Sequence, residues 1–145
     1  MVAAWKERGL RRLAGWAAQV VVDTVARPEV AAVAYVPGDA DRRLKRGHHA
    51  AERLARELAV AWELPLEPAA LRTRRARHQR GLSRVARRGN VAGAFSPGSR
   101  VPARVALIDD VYTTGATVNA AASALRKGGA RRVEVVTFAR AIRIS

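Results

Sequence analysis

Two adjacent carboxylates followed by a run of hydroxyls carry the chemistry this sequence can offer. Asp109 and Asp110 stand directly after the apolar run 105–108, and Thr113, Thr114, Gly115, Ala116 and Thr117 follow closely. The run is short, apolar and rich in branched side chains, which predicts a buried strand. In an open α/β sheet, ligands bind at the carboxyl ends of strands, where the following loop would deliver both acids. Gly115 lets the backbone approach a ligand closely. The free N–H groups opening the next helix favour an anion such as phosphate. The carboxylate pair suits ribose hydroxyls or a magnesium ion. The competing reading is a plain polar turn before a capped helix, because Asp and Thr are ordinary turn and cap residues.

These residues need a scaffold, and the rest of the chain reads as strand–helix–strand units. Residues 10–25 form a helical stripe through Leu10, Leu13, Ala14, Ala17, Val20, Val21 and Val25, with Pro28 just beyond its end. Residues 30–36 are continuously apolar between Pro28 and Pro37, which predicts a buried parallel strand. The loop that follows contains Pro37, Gly38, Asp39, Arg42 and Arg43. It either faces the first loop across a ligand or is a solvated surface loop. Residues 49–62 form a second amphipathic helix, with Glu52/Arg56 and Arg53/Glu57 spaced as exposed pairs. His48 and His49 are neighbours, unlike the i, i+4 spacing of a helical metal pair, and read as loop or cap residues. Residues 66–71 make a weak strand candidate interrupted by Pro68, and 90–95 a short strand or extended turn. A third helix spans 115–127 and ends at Gly128-Gly129; the last strand is 133–138. The pattern predicts an α/β fold, a mostly parallel sheet with helices on both faces. No repeat or linker divides it, so residues 1–145 are expected to be one domain, with an N-terminal helix in 1–28 and a core in 30–140.

The chain has 145 residues, 49% of them hydrophobic, which fits a globular protein. No apolar run reaches the roughly 18 residues of a membrane-span candidate, and no secretory leader is evident. There is no cysteine, which excludes thiolate metal sites and disulfides. A cytoplasmic location is expected. Net charge is +15, from 27 basic against 12 acidic residues, and implies affinity for a polyanion or a phosphate-rich small molecule. An Arg-rich composition alone is the simpler alternative, but the charge is uneven. No acidic residue falls within 68–108, while Arg72, Arg74, Arg75, Arg77, Arg80, Arg84, Arg87, Arg88, Arg100 and Arg104 do. This segment reads either as a basic amphipathic helix or as a loop punctuated by Gly81, Gly89, Asn90 and Gly93. Self-repulsion without acidic partners predicts an anion nearby.

The run through Asp109, Asp110 and Thr113–Thr117 resembles the 5-phosphoribosyl 1-pyrophosphate (PRPP) signature of type I phosphoribosyltransferases, a Rossmann-like fold. The wider chain resembles one branch of them, the ComF (competence protein F) family. The matching features are Arg72, Gln79, Leu82-Ser83, Arg87, Asn90, Gly93-Ala94-Phe95, Leu107-Ile108-Asp109-Asp110, Thr113-Thr114-Gly115-Ala116-Thr117 and Gly129-Ala130-Arg131-Arg132-Val133, with Val36-Pro37 and Arg46-Gly47 fitting more loosely. The resemblance covers roughly residues 30–140. It implies that Asp109 and Asp110 are the catalytic pair, binding the ribose hydroxyls and, directly or indirectly, magnesium. It implies that Thr113, Thr114, Gly115, Ala116 and Thr117 hold the 5-phosphate. Pro37, Gly38, Asp39, Arg42 and Arg43 would meet pyrophosphate. Arg72, Arg74, Arg77, Gln79, Arg80 and Arg87 would belong to a flexible, anion-binding loop that closes over the site.

The implied reaction is transfer from PRPP, with Mg2+ as cofactor. Breaking the C1–pyrophosphate bond leaves oxocarbenium-like charge on the sugar and added negative charge on the leaving group, so a site must clamp one and neutralise the other. The chain departs from the family pattern in three places. It has no cysteine-rich zinc ribbon, His48-His49-Ala50 replaces an aromatic-Asn-Gln run, and Gly38-Asp39-Ala40 replaces a proline-rich loop. Thr113 also stands where hypoxanthine-type relatives carry an Asp base. The resemblance therefore implies a PRPP-binding, phosphoribosyltransferase-like protein with an unidentified acceptor. The alternative is a competence-associated protein handling single-stranded DNA, or one sensing PRPP or a nucleotide without catalysis. No aromatic lies between Leu64 and Val91, so a base-stacking platform is poorly supported in the Arg segment. No membrane partner is expected, and the oligomeric state is left open.

Overall fold

Residues Val105, Ala106, Leu107 and Ile108 are all completely buried, which an extended segment achieves only when both faces of its sheet are covered. A computed structural model describes residues 2–38, 50–73, 93–112 and 114–140. Its elements are α1 (Val2–Thr24), β1 (Ala32–Tyr35), α2 (Ala50–Ala61), β2 (Ala70–Arg72), β3 (Phe95–Pro97), β4 (Arg104–Tyr112), α3 (Ala116–Lys127) and β5 (Arg132–Arg140). β1, β4 and β5 form a parallel sheet in the order β1-β4-β5. Tyr35 pairs with Ile108, and Ile108 with Val136. Leu66 adds a parallel bridge to Val33 on the far side of β1.

Alternation along the strands sorts the core into two layers. Ala34, Val105 and Leu107 face α3, whose Val118, Ala121 and Leu125 complete that layer with Ala70 and Phe95 of the ribbon. Val33, Ala106, Ile108 and Val136 face the other way, onto Val21 of α1 and Leu54, Leu58 and Trp62 of α2. Alanines at many helical contact positions let the helices lie close to the sheet. Arg27 Nε donates to the Trp62 carbonyl at 2.7 Å and ties the chain after α1 to the end of α2. At the C-terminus of α3, the Gly128 N–H donates to Ala124 O at 3.0 Å, and Gly129 adopts φ 113°, the helix stop expected from the Gly-Gly pair.

Several boundaries differ from the sequence reading, among them the strand expected at 90–95, which instead covers Phe95–Pro97, residues 90–92 lying outside the described ones. β4 continues through both acids to Tyr112 because β5 pairs with it as far as Arg140; ladder bonding outweighs the poor strand propensity of Asp. β5 is correspondingly longer at both ends. α1 begins at Val2, well before the apolar stripe. The 66–71 candidate divides at Pro68, with Leu66 bridging β1 and Ala70–Arg72 pairing antiparallel with Phe95–Pro97. At the open end of this ribbon, the Thr73 N–H donates to Ala94 O at 2.8 Å and its hydroxyl to Gly93 O at 2.7 Å. No helix among the described residues is long and apolar enough to cross a membrane.

Candidate functional site

The site is built where the parallel strands end. The Val36 N–H donates to Ile108 O at 2.9 Å, so the chain leaving β1 at Pro37-Gly38 runs beside Asp109 on β4. Asp109 pairs in register with Thr137 of β5, placing a hydroxyl-bearing residue on the neighbouring strand. Both acids are half-buried. The Asp110 N–H donates to Asp109 Oδ1 at 3.0 Å. Burial pushes the Asp109 carboxyl up to about 7; the hydrogen bond with the Asp110 carboxyl and its charge push the same way, against the opposing pull of the Asp110 N–H. Asp109 therefore keeps its proton to a higher pH than an ordinary aspartate.

Beyond β4 the chain turns sharply into α3. Gly115 is buried with φ 77° and ψ −4°, a left-handed conformation open to glycine at little cost. A β-carbon there would fall 2.8 Å from Cζ of Tyr112, whose ring lies against the turn. The Gly115 carbonyl accepts the Asn119 N–H at 2.8 Å, starting the helix. Having no side chain, Gly115 cannot cap it, and the first turn carries no acidic residue. Among the described residues, the Ala116 N–H makes a long 3.4 Å contact to the Thr114 hydroxyl. The outcome is a helix start whose donors and positive dipole end suit an anion, next to the carboxylate pair. Thr114 and Thr117 are exposed beside it.

Arg72, at the end of β2, also reaches this end of the sheet. Its Nε donates to Pro37 O at 3.3 Å, and its guanidinium lies 5.0 Å from the centre of the Phe95 ring. The structure thus gathers Pro37, Gly38, Arg72, Asp109, Asp110, Thr114, Gly115, Ala116 and Thr117 around the carboxyl ends of β1 and β4. Thr113, Asp39, Arg42, Arg43, Arg74, Arg77, Gln79, Arg80 and Arg87 lie outside the described residues. Sequence reasoning missed Tyr112 and Thr137. An aromatic directly before Thr-Thr-Gly was a signal for the first; the second becomes visible only with the β4–β5 register.

Among the described residues, no group of three or more His, Cys, Asp or Glu side chains is placed to hold a metal. Two carboxylates nevertheless fit magnesium, which keeps several waters and takes one or two carboxylates plus phosphate oxygens.

No family model matches the chain. Over 142 residues it is 36% identical to Competence protein F of Haemophilus influenzae, an alignment covering 94% of this chain and 62% of that protein. Over 106 residues it is 34% identical to Competence protein ComFC of Streptococcus pneumoniae, covering 72% of this chain and 46% of that one. The chain therefore spans less than two thirds of the length of either relative. Among solved structures, glutamine PRPP amidotransferase from B. subtilis, complexed with ADP and GMP, superposes with a TM-score of 0.58 at 23% identity, over 89% of this chain and 26% of that one. This chain is a ComF/ComFC family homologue with a phosphoribosyltransferase-like α/β fold.

Proposed function

We propose that the chain binds PRPP with magnesium and transfers its phosphoribosyl group to an acceptor. The observation that carries this reading is the half-buried Asp109/Asp110 pair beside the uncapped, left-handed start of α3 at Gly115. Asp109 and Asp110 take the ribose hydroxyls. The N–H groups of 115–117 and the hydroxyls of Thr113, Thr114 and Thr117 take the 5-phosphate. The loop containing Pro37, Gly38, Asp39, Arg42 and Arg43 meets pyrophosphate. Arg72, anchored on Pro37 and stacked on Phe95, adds positive charge on the same side, and the following Arg segment excludes water from the reacting sugar. Clamping both ends of the ribose holds C1 for attack by the acceptor's lone pair while pyrophosphate leaves with the C1–O electrons. Magnesium, held by Asp109 and Asp110 directly or through water, would neutralise charge on the leaving group. In this reading residues 1–145 work as one cytoplasmic domain.

Calorimetry with PRPP and magnesium tests the reading. Wild type is expected to give a saturable binding heat, and Asp109→Asn/Asp110→Asn to lose it. No heat from wild type, or the same affinity in the double variant, overturns the proposal.

The net charge of +15, together with relatives named as competence proteins, favours a second reading, binding of single-stranded DNA through the Arg segment. Its affinity would fall steeply with salt, and Arg80→Ala/Arg84→Ala/Arg87→Ala would flatten the slope of log K against log salt by about two to three. A slope the variant leaves unchanged counts against it.

A further inference from the structure

Pro37 and Gly38 form the exit from β1, and the peptide between them could point either way. The pyrrolidine ring holds φ of Pro37 at about −65°, so its ψ decides where the carbonyl points. Gly38 has no β-carbon to resist a change in its own φ. A Pro-Gly peptide therefore flips at little steric cost unless a group outside the turn holds it. Arg72 is that group. Its Nε donates to the Pro37 carbonyl at 3.3 Å, and the charge on the donor strengthens the bond. Arg72 is itself fixed. It lies opposite Phe95 in the antiparallel ribbon, and its guanidinium stands 5.0 Å from the centre of that buried ring. A planar cation backed by a fixed aromatic loses little freedom when it donates. Thr73, the next residue, bonds Ala94 and Gly93, so the strand end that carries Arg72 is held as well.

The effect of that bond falls on the other side of the peptide plane. In a trans peptide the N–H points opposite to the C=O, and no cis peptide occurs among the described residues. With the Pro37 carbonyl turned to Arg72, the Gly38 N–H faces away from Arg72. The Val36 N–H, two residues earlier, reaches Ile108 O of β4 at 2.9 Å, and every second N–H of an extended chain points to the same neighbour. We infer that Arg72 is a positioning residue for the leaving group. By holding the Pro37 carbonyl it aims the Gly38 N–H at the carboxyl end of β4, where that N–H donates to the pyrophosphate of PRPP. This role rests on the carboxylate site taking PRPP with magnesium. It is separate from the charge Arg72 brings. A donor already fixed in place needs no reorganisation when negative charge grows on the departing oxygens.

Two substitutions separate position from charge. In glutamine the side-chain nitrogen stands as many bonds from the backbone as Nε does in arginine, so Arg72→Gln keeps the donor and removes the charge. Arg72→Met keeps the length and loses both. Calorimetry with magnesium pyrophosphate and, separately, with ribose 5-phosphate reads each half of the site on the full chain. Arg72→Met is expected to bind magnesium pyrophosphate about tenfold more weakly than wild type, and Arg72→Gln within about threefold of wild type. Ribose 5-phosphate should bind all of them alike. In amide NMR spectra of the isotope-labelled chain, the Gly38 signal should move on adding magnesium pyrophosphate to wild type and Arg72→Gln, and far less in Arg72→Met. An Arg72→Gln variant as weak as Arg72→Met leaves Arg72 with a charge role only and overturns the positioning role. So does an Arg72→Met variant that binds magnesium pyrophosphate like wild type. Equal loss of both ligands in Arg72→Met makes Arg72 a strut of the ribbon and overturns it too. If wild type binds neither ligand, the PRPP reading fails and this role fails with it.

Discussion

Gly115→Val is expected to lower stability by about 3 kcal/mol and to remove anion binding at the start of α3. Two costs add. A β-branched residue is strained at the φ of 77° found there. Its β-carbon would also run into the Tyr112 ring, which is partly buried against the α3-side core and would have to shift. If the backbone relaxed instead, the Gly115 carbonyl would leave the Asn119 N–H and the first turn would unwind, taking its donors with it. Thermal unfolding reads the first effect. Titration with ribose 5-phosphate, which lacks pyrophosphate, reads the second at this loop alone. Gly115→Ala should show the same direction with a smaller loss. If ribose 5-phosphate binds wild type and Gly115→Val equally, the phosphate does not sit at this helix.

Affinity for PRPP with magnesium is expected to rise with pH and level off above about 7, falling by up to tenfold per pH unit below that. Asp109 must be ionised to bind a cation or to accept from two sugar hydroxyls, and burial together with Asp110 holds its carboxyl up to about 7. Stability of the unliganded protein should run the other way. The carboxyl titrates higher in the folded state than its ordinary value near 3.8, so between about 4 and 7 the folded state keeps a proton that the unfolded chain has released. Folding therefore weakens as pH rises through that window. Half-exposure and solvent screening keep the effect modest, a Tm shift of a few degrees. Asp109→Asn should flatten the pH profile of Tm and raise Tm at pH 8 while losing ligand. An Asp109→Asn profile that still falls between pH 5 and 8 would assign the titration to another group.

The strands and helices were legible because each buries an unbroken apolar face. Residues 105–108 read as a strand covered on both sides, and Val118, Ala121 and Leu125 as one stripe of α3. The carboxylate pair, Gly115 and the helix start were legible as types in an order. The end of β4 was not legible. Asp, Asp and Thr look like a turn until β5 is seen to supply partners as far as Arg140, and that pairing is non-local. The antiparallel ribbon was hidden for the same reason: Ala70–Arg72 and Phe95–Pro97 are each three residues long, too short to show a period, and they find each other across the Arg segment. Arg72 was read as one cation among many. Its bond to Pro37 and its stacking on Phe95 separate it from the rest, and neither follows from spacing.

Thr73 on one side and Gly93-Ala94 on the other close the base of the ribbon, so the chain leaves for residues 74–92 and returns through one hydrogen-bonded clamp. That makes the interval a cassette. Both sides of the clamp, and the β2–β3 register beyond it, are formed by residues outside the interval. Seven arginines lie inside it, while Asp109, Asp110 and Gly115 lie outside. Substitutions there change the charge offered to an anionic partner without altering the residues of the clamp or the carboxylate pair.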